Sequence, residues 1–189
     1  MSHSLQLRPM TLDDVDAVSD LDRRAFGESG WSRRYFVGEL TDSPISIFYV
    51  LSDEQDHLLG YFGTWHVVDQ LQLCTFAVDP DAQGQGLGAI LLNCVFRLAQ
   101  RLDCDEIQLE VRISNRPARN LYQSRGFTED AVRRNFYANP REDGVLMSAP
   151  TPATLEAAAT PTVAGRWPDG LSFDWNDRAG RHAEHWPLR

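Results

Sequence analysis

Between a strand-like segment ending at Val78 and an amphipathic helical segment from about Ala89 lies the run Gln83-Gly84-Gln85-Gly86-Leu87-Gly88-Ala89. Consecutive backbone N–H groups and the positive end of a helix dipole in such a place can hold a pyrophosphate. Side chains at Gly84, Gly86 and Gly88 would obstruct that approach. Two other readings fit the same residues. One is a turn that merely joins strand to helix. The other is a dinucleotide fingerprint, since Gly84-x-Gly86-x-x-Ala89 matches G-x-G-x-x-G/A and Glu110 ends the next strand where a ribose-binding acid would stand. Against the fingerprint, five residues, Asp79 to Gln83, separate the strand from the first glycine, and no further βαβ units follow. No Gly-Lys-Ser or Gly-Lys-Thr follows the glycines, which excludes a Walker loop.

Further polar and aromatic residues each carry a chemical and a plain reading. Glu110 shares the less apolar face of its strand with Gln108 and Arg112, opposite Ile107, Leu109 and Val111, and could be a solvated carboxylate paired to Arg112 or Arg125. Tyr122, next to Leu121, could be a core aromatic, and Asn115 could cap the helix that Pro117 starts. Arg133-Arg134 reads as a solvated pair on a strand. Phe26 and Trp31 belong either to a binding groove or to the core, and Glu28 to a loop. The five histidines show no ligand pairing that assigns them a role.

The elements that must position these residues follow from hydrophobic period and turn chemistry. Leu5 to Arg8 alternates as a strand. Thr11-Leu12-Asp13-Asp14 reads as an N-cap with an acidic first turn, opening a helix through Val15, Val18, Leu21 and Phe26 that ends at Gly27 to Gly30. Trp31-Ser32 starts a second helix through Tyr35, Phe36 and Leu40, closed by Asp42-Ser43-Pro44. Strands are expected at Ile45 to Leu51, Leu58 to Trp65 and Leu71 to Val78. After the glycine run come a helix to Leu102 with its stripe at Leu91, Val95, Leu98 and Leu102, a strand at Ile107 to Val111, and a helix from Pro117 to near Ser124 stopped by Gly126. Strands around Phe127 to Phe136 and Val145 to Ser148 complete the order β-α-α-β-β-β-α-β-α-β-β, an α+β sheet domain. It is expected over residues 1–148. Residues 149–189 read as an Ala/Thr/Pro-rich linker and a tryptophan-containing tail with too few anchors for its own core, dispensable for cofactor binding.

At this point a resemblance becomes specific. Gln83-x-x-Gly86-x-Gly88, preceded by Ala77-Val78-Asp79-Pro80, resembles the acetyl-CoA pyrophosphate loop of the GNAT superfamily. The match continues through Leu109-Glu110-Val111-Arg112-x-Ser114-Asn115-x-x-Ala118-x-x-Leu121-Tyr122-x-x-x-Gly126-Phe127, then Arg133-Arg134-Asn135-Phe136-Tyr137 and Glu142-Asp143-x-x-x-Met147. Together these resemble the bacterial ribosomal-protein alanine N-acetyltransferases, over roughly Leu5 to Met147 and not over the tail. The resemblance implies a GNAT fold, a mixed, mostly antiparallel sheet with flanking helices whose splayed central strands bind acetyl-CoA. It implies Glu110 as general base and Tyr122 as the acid that protonates the CoA sulfur. Cofactor contacts would come from the backbone of Phe76, Ala77 and Val78, with the Val78 N–H facing the thioester oxygen, from the loop Gln83, Gly84, Gln85, Gly86, Leu87, Gly88 and Ala89, and from Asn115. Tyr137 would touch the acceptor. A protein N-terminus, a ribosomal protein among the candidates, is the implied partner. Its amine, with a pKa near 8, costs about 1.4 kcal/mol to deprotonate at pH 7, against about 4.6 kcal/mol for a lysine near 10.4.

Bulk properties narrow the alternatives. The chain of 189 residues has a net charge of -9 and no Lys/Arg-rich block, so a nucleic-acid backbone is not an expected ligand and a basic partner suits the surface better. Cys74, Cys94 and Cys104 are odd in number and fall in no zinc or C-x-x-C spacing, so neither a disulfide framework nor a metal is expected. Met1 to Gln6 has no basic or apolar leader character, and no run of about 18 apolar residues occurs, so a cytoplasmic protein, monomer or weak dimer, without membrane contact is expected. A GNAT enzyme acting on lysine or a small amine, a nucleotide-dependent oxidoreductase and a non-catalytic CoA-binding module are the rival functions.

Overall fold

The computed structural model describes residues 5–151 and, as backbone, 171–173. Strand β1 (Leu5–Pro9) leads through a 3-10 turn to α1 (Val15–Phe26) and α2 (Arg33–Thr41); β2 (Ser46–Ser52), β3 (Leu58–Val67) and β4 (Gln70–Val78) form a meander. Then come α3 (Leu87–Arg101), β5 (Glu106–Arg112), α4 (Arg116–Gln123), β6 (Thr128–Ala138), β7 (Arg141–Pro150) and β8 (Leu171–Phe173). From β1 to β7 the element order matches the sequence reading, whereas β8 falls in the stretch read as a tail. One sheet holds all the strands of the described residues, in the order β6-β7-β5-β4-β3-β2-β1-β8. β4 runs parallel to β5 and β8 parallel to β1, and every other pairing is antiparallel.

The sheet carries an apolar layer on each face. On one, the α3 stripe Leu91, Val95 and Leu98 packs on Leu71, Leu73, Ile107 and Leu109. On the other, Val15, Val18 and Leu21 of α1 and Phe36 and Leu40 of α2 cover Phe48, Val50, Tyr61 and Ala77. Burying both faces requires continuous apolar strands in the middle, and β2 is buried at all seven of its positions.

The feature that makes a site is a bulge. Gly63 pairs with Thr75 and Thr64 with Leu73, leaving Cys74 as an extra residue in β4. Such a bulge bends its strand and exchanges the faces of the side chains beyond it. Leu71 and Leu73 accordingly belong to the α3 layer, whereas Ala77 belongs to the α1–α2 layer while Phe76 and Val78 pack towards α3. Pairing of β4 with β5 stops at the same place, with Leu73 against Leu109, although β4 runs on to Val78 and β5 to Arg112. The two parallel strands therefore splay apart at their C-terminal ends, the crevice where α/β sheets receive ligands.

Two boundaries differ from the sequence reading. β7 extends to Pro150, with Ala149 buried and the Thr151 N–H bonded to the Asp105 carbonyl, because β5 continues the ladder there, pairing Ile107 with Ala149 and Glu106 with Pro150. The 3-10 turn Leu12–Asp14 precedes α1, and the Asp14 carboxylate accepts the Thr11 N–H at 2.7 Å in a capping box. The expected tail beyond 151 lies outside the described residues apart from β8, whose backbone extends the sheet at β1.

Candidate active site

Two hollows open from the splay. The first, about 1030 Å³ including its mouth, is bordered by Phe76, Ala77 and Val78 of β4, by Gln83, Gly84, Gly86, Leu87 and Gly88, and by α4 residues such as Leu121. Gly84 and Gly86 have φ of 78° and 83°, conformations that favour glycine, and Gly86 is the N-cap of α3. The N–H groups of Leu87 and Gly88, in the first turn of α3, have no intrahelical acceptor and carry the helix's positive end. Gly88 has a different reason to lack a side chain: a Cβ there would stand 3.2 Å from Leu121 Cδ2, so it permits α3 to approach α4. Gln83 donates to the Val78 carbonyl at 3.3 Å, holding the loop against the strand. The Leu87 side chain is buried in the α3 layer. Gln85 and Ala89 do not border the hollow.

This surface fits a CoA diphosphate and its pantetheine arm: backbone donors without side chains at one end, and at the other the β4 edge that β5 has left. Forcing an L-residue into the left-handed conformation at Gly86 costs about 1–2 kcal/mol. Gly86→Ala is therefore expected to raise the acetyl-CoA Kd about tenfold by calorimetry, with Tm followed in parallel to register loss of fold.

The second hollow, about 840 Å³ including its mouth, lies on the other side of the splay. Glu110, Arg112 and Val111 of β5, Cys74 and Thr75 at the bulge, Tyr122, Tyr137, Trp31 and Ser29 border it. The hollows share Phe26, Phe76, Asn115 and Ala118, so they meet between β4 and α4. Asn115 both caps α4, accepting the Ala118 N–H at 3.2 Å, and borders both spaces.

Glu110 is ion-paired with Arg133 of β6. The sequence pairings with Arg112 and Arg125 are replaced, because Arg112 turns to Glu142 at 3.2 Å and Arg125 to Asn93 at 3.3 Å. Arg133 is thus not simply solvated: the twisted end of β6, where register shifts between Arg133 and Tyr137, brings its side chain back across β7. Tyr122 is buried, with its ring 5.7 Å from Phe127 and 6.2 Å from Phe76. Burial, and secondarily Tyr137, pushes its phenol above the ordinary tyrosine range. Tyr137 is pushed up to about 12, by burial first and then by Glu110. Burial foremost, then Glu39, raises the Cys74 thiol to about 12.

Trp31 and Phe26 belong to both groove and core. Trp31 borders the hollow while packing on Phe36 and Phe48 at centroid distances of 5.6 and 6.1 Å. Asp22 went unnoticed in the sequence. It is a buried carboxylate on the wall of the second hollow that accepts the Trp31 N–H and the Tyr61 hydroxyl, while Tyr61 also meets Thr75 Oγ1 at 2.8 Å. The signal available was an acid on the apolar stripe of α1, one residue after Leu21. Among the described residues no group of three His, Cys, Asp or Glu side chains could hold a metal, and no helix is long and apolar enough to cross a membrane.

Comparison with known proteins places this geometry. The Acetyltransferase (GNAT) family matches residues 15–127. A Bacillus subtilis protein provisionally named a ribosomal protein bS18-alanine N-acetyltransferase is 34% identical over 147 residues, covering 78% of this chain and 96% of its own. The Salmonella typhimurium ribosomal protein bS18-alanine N-acetyltransferase is 32% identical over 143 residues, with 75% and 94% covered. The crystal structure of the ribosomal-protein-S18-alanine N-acetyltransferase from Escherichia coli superposes with a TM-score of 0.71 at 31% identity, covering 78% of this chain and 94% of that one.

Proposed function

Since the chain belongs to the GNAT acetyltransferase family and is an acetyl-CoA-dependent N-acetyltransferase, we propose that its acceptor is the N-terminal α-amine of a protein, of the ribosomal-protein alanine type. The observation that carries this reading is the junction of the two hollows at Phe26, Phe76, Asn115 and Ala118. A thioester delivered along one reaches an amine held in the other, beside Glu110 and Tyr122. Relatives named for the same acceptor at 32–34% identity support the choice of amine, as does the lower cost of deprotonating an α-amine. The oxidoreductase alternative is not favoured.

Acetyl-CoA supplies a thioester carbonyl, to which the amine nitrogen bonds as the C–S bond breaks. The chain's own groups do the rest. Glu110 takes the proton that the ammonium must lose, directly or through one water. The Val78 N–H, on the β4 edge that has lost its strand neighbour, faces the carbonyl oxygen, a donor of the kind worth about 3–4 kcal/mol. Tyr122 gives a proton to the departing sulfur and takes back the second proton that the nitrogen sheds as it becomes an amide, so a neutral thiol leaves and the proton on Glu110 passes to solvent. Asn115 holds the cofactor where the hollows meet, Tyr137 lines the acceptor side, and main-chain donors among Gln83, Gly84, Gly86, Leu87 and Gly88 hold the diphosphate. A ribosomal-protein acceptor would be basic, matching a net charge of -9, and would place the reaction in the cytoplasm.

Thiol release from acetyl-CoA, measured with a peptide that begins with alanine and with the same peptide N-terminally blocked but carrying lysine, tests the reading. The free α-amine is expected to turn over faster by at least about tenfold, given the difference in deprotonation cost. Equal rates would overturn the N-terminal assignment while leaving the acetyltransferase intact.

A further inference from the structure

Thr75 stands one residue past the bulge, where β4 and β5 have parted, and it borders the cleft that contains Glu110. Its side chain is the outer end of a buried chain of hydroxyls. Thr75 Oγ1 lies 2.8 Å from the Tyr61 hydroxyl, and that hydroxyl donates to Asp22 Oδ1. Asp22 Oδ2 accepts the Trp31 N–H at 2.5 Å. Asp22, Tyr61 and Thr75 are 1%, 0% and 8% exposed, so the threonine is the least buried of the three.

Proton directions along this chain are set by its inner end. A carboxylate only accepts, and a hydroxyl has one proton to give. Burial raises the Asp22 carboxyl, while the bonds from Tyr61 and then Trp31 favour its ionised form. Burial first, and then Asp22, raises the Tyr61 phenol well above its ordinary range, so the phenol keeps its proton. Because Tyr61 gives that proton to Asp22, it can only accept from Thr75, and Thr75 then has none left to give. Towards the cleft the threonine offers lone pairs alone, on an oxygen too weakly basic to take a proton.

The reaction has a use for such a group. An ammonium carries three N–H bonds. Glu110 takes one proton and Tyr122 a second, and the third hydrogen remains on the nitrogen in the amide product. We propose that Thr75 Oγ1 accepts a hydrogen bond from this persistent N–H and so turns the nitrogen lone pair towards the thioester, with Asp22, acting through Tyr61, as the positioning residue that keeps the threonine an acceptor. The inference rests on the reading that the amine occupies the second hollow, and not on which amine it is. It adds no bond-making step: Thr75 keeps its own proton and the N–H stays whole.

The test uses the full chain with Thr75→Val, Thr75→Ser and Asp22→Asn, assayed on the alanine-starting peptide. Valine keeps the shape and removes the acceptor. Its kcat is expected to fall about tenfold, the loss of one hydrogen bond, with the acetyl-CoA Kd and Tm near wild type. Serine restores the hydroxyl and should return kcat to within about threefold. Asp22→Asn reverses the chain: its carbonyl oxygen must stay on the Trp31 N–H, which sets its NH2 against Tyr61, so the phenol donates to Thr75 and the threonine proton turns to the cleft. An acceptor has become a donor, and kcat should fall at least as far as with valine although the threonine is intact. Wild-type kcat in Thr75→Val would overturn the proposal. So would a serine variant as slow as valine, because lost packing would then explain both. A loss in Asp22→Asn matched by a lower Tm and a weaker acetyl-CoA Kd would overturn the part given to Asp22 and leave that residue to the fold. A wild type that acetylates the blocked lysine peptide and ignores the alanine peptide would instead remove the N-terminal reading, and the same variants are then scored on the lysine peptide.

Discussion

Glu110→Gln is expected to lower kcat on an alanine-starting peptide at pH 7 by 10²- to 10⁴-fold, the usual contribution of a general base and about 2.7–5.5 kcal/mol of barrier. Acetyl-CoA affinity should stay at the wild-type level, because Glu110 borders the acceptor cleft and not the glycine-loop groove. Glutamine keeps the shape and can still accept from Arg133, so the change isolates the loss of a basic lone pair. The ion pair with Arg133 raises an objection, since the guanidinium occupies the carboxylate oxygen that must take the proton. Exposure decides it. Arg133 is 56% exposed and Glu110 16%, so the guanidinium can swing into water while the ammonium that replaces it keeps a positive charge beside the carboxylate. The incoming ammonium can therefore displace Arg133. The deficit should also narrow above about pH 8, where the α-amine is increasingly neutral without help. Steady-state rates from pH 6.5 to 9.5 check both points, and a variant that matches wild type at pH 7 would exclude proton removal by Glu110.

Much of this arrangement was legible in the residues, and what was not has identifiable physical causes. Element order followed from hydrophobic period: the α3 stripe Leu91, Val95, Leu98 and the alternation Ile107, Leu109, Val111 both form the layer that their spacing requires. Gly84 and Gly86 stood out as places where a side chain would obstruct a pyrophosphate, and the structure adds a backbone reason, a positive φ at both. Cys74 could not be read as a bulge. A run such as Leu71 to Val78 looks like unbroken alternation, and the insertion exists only relative to the register of β3. For the same reason no local pattern places Phe76 and Ala77 on their actual faces. Arg133 beside Glu110 and Ser29 beside Asn139 are contacts across 23 and 110 positions, which depend on how β6 twists and where two loops end. Asp22 looked like an ordinary charge on α1, because what buries it, Tyr61 and the Trp31 backbone, arrives from elsewhere.

Tyr122→Phe should lower kcat by about 10²-fold or more, as for loss of a general acid, and leave the fold in place. Phenylalanine retains the ring against Phe76 and Phe127 and deletes an oxygen for which no hydrogen bond is recorded among the described residues. A phenol held above the ordinary tyrosine range is, by itself, a reluctant donor to a thiolate. The cleft corrects that mismatch. A low-dielectric wall disfavours any anion, so the burial that raises the phenol would also raise a thiolate released beside it. Burial shifts the phenol and the sulfur in the same direction and keeps proton transfer between them feasible. It also keeps Tyr122 protonated throughout the working range, so its loss should remove no limb from the pH–rate profile below about pH 10. The core-aromatic reading makes the opposite prediction, since a ring that only fills space tolerates phenylalanine without loss of rate. Single-turnover acetyl transfer and a thermal melt of the same preparation separate the two: unchanged kcat with an unchanged Tm would leave Tyr122 to packing and send the search for the proton donor elsewhere in the cleft.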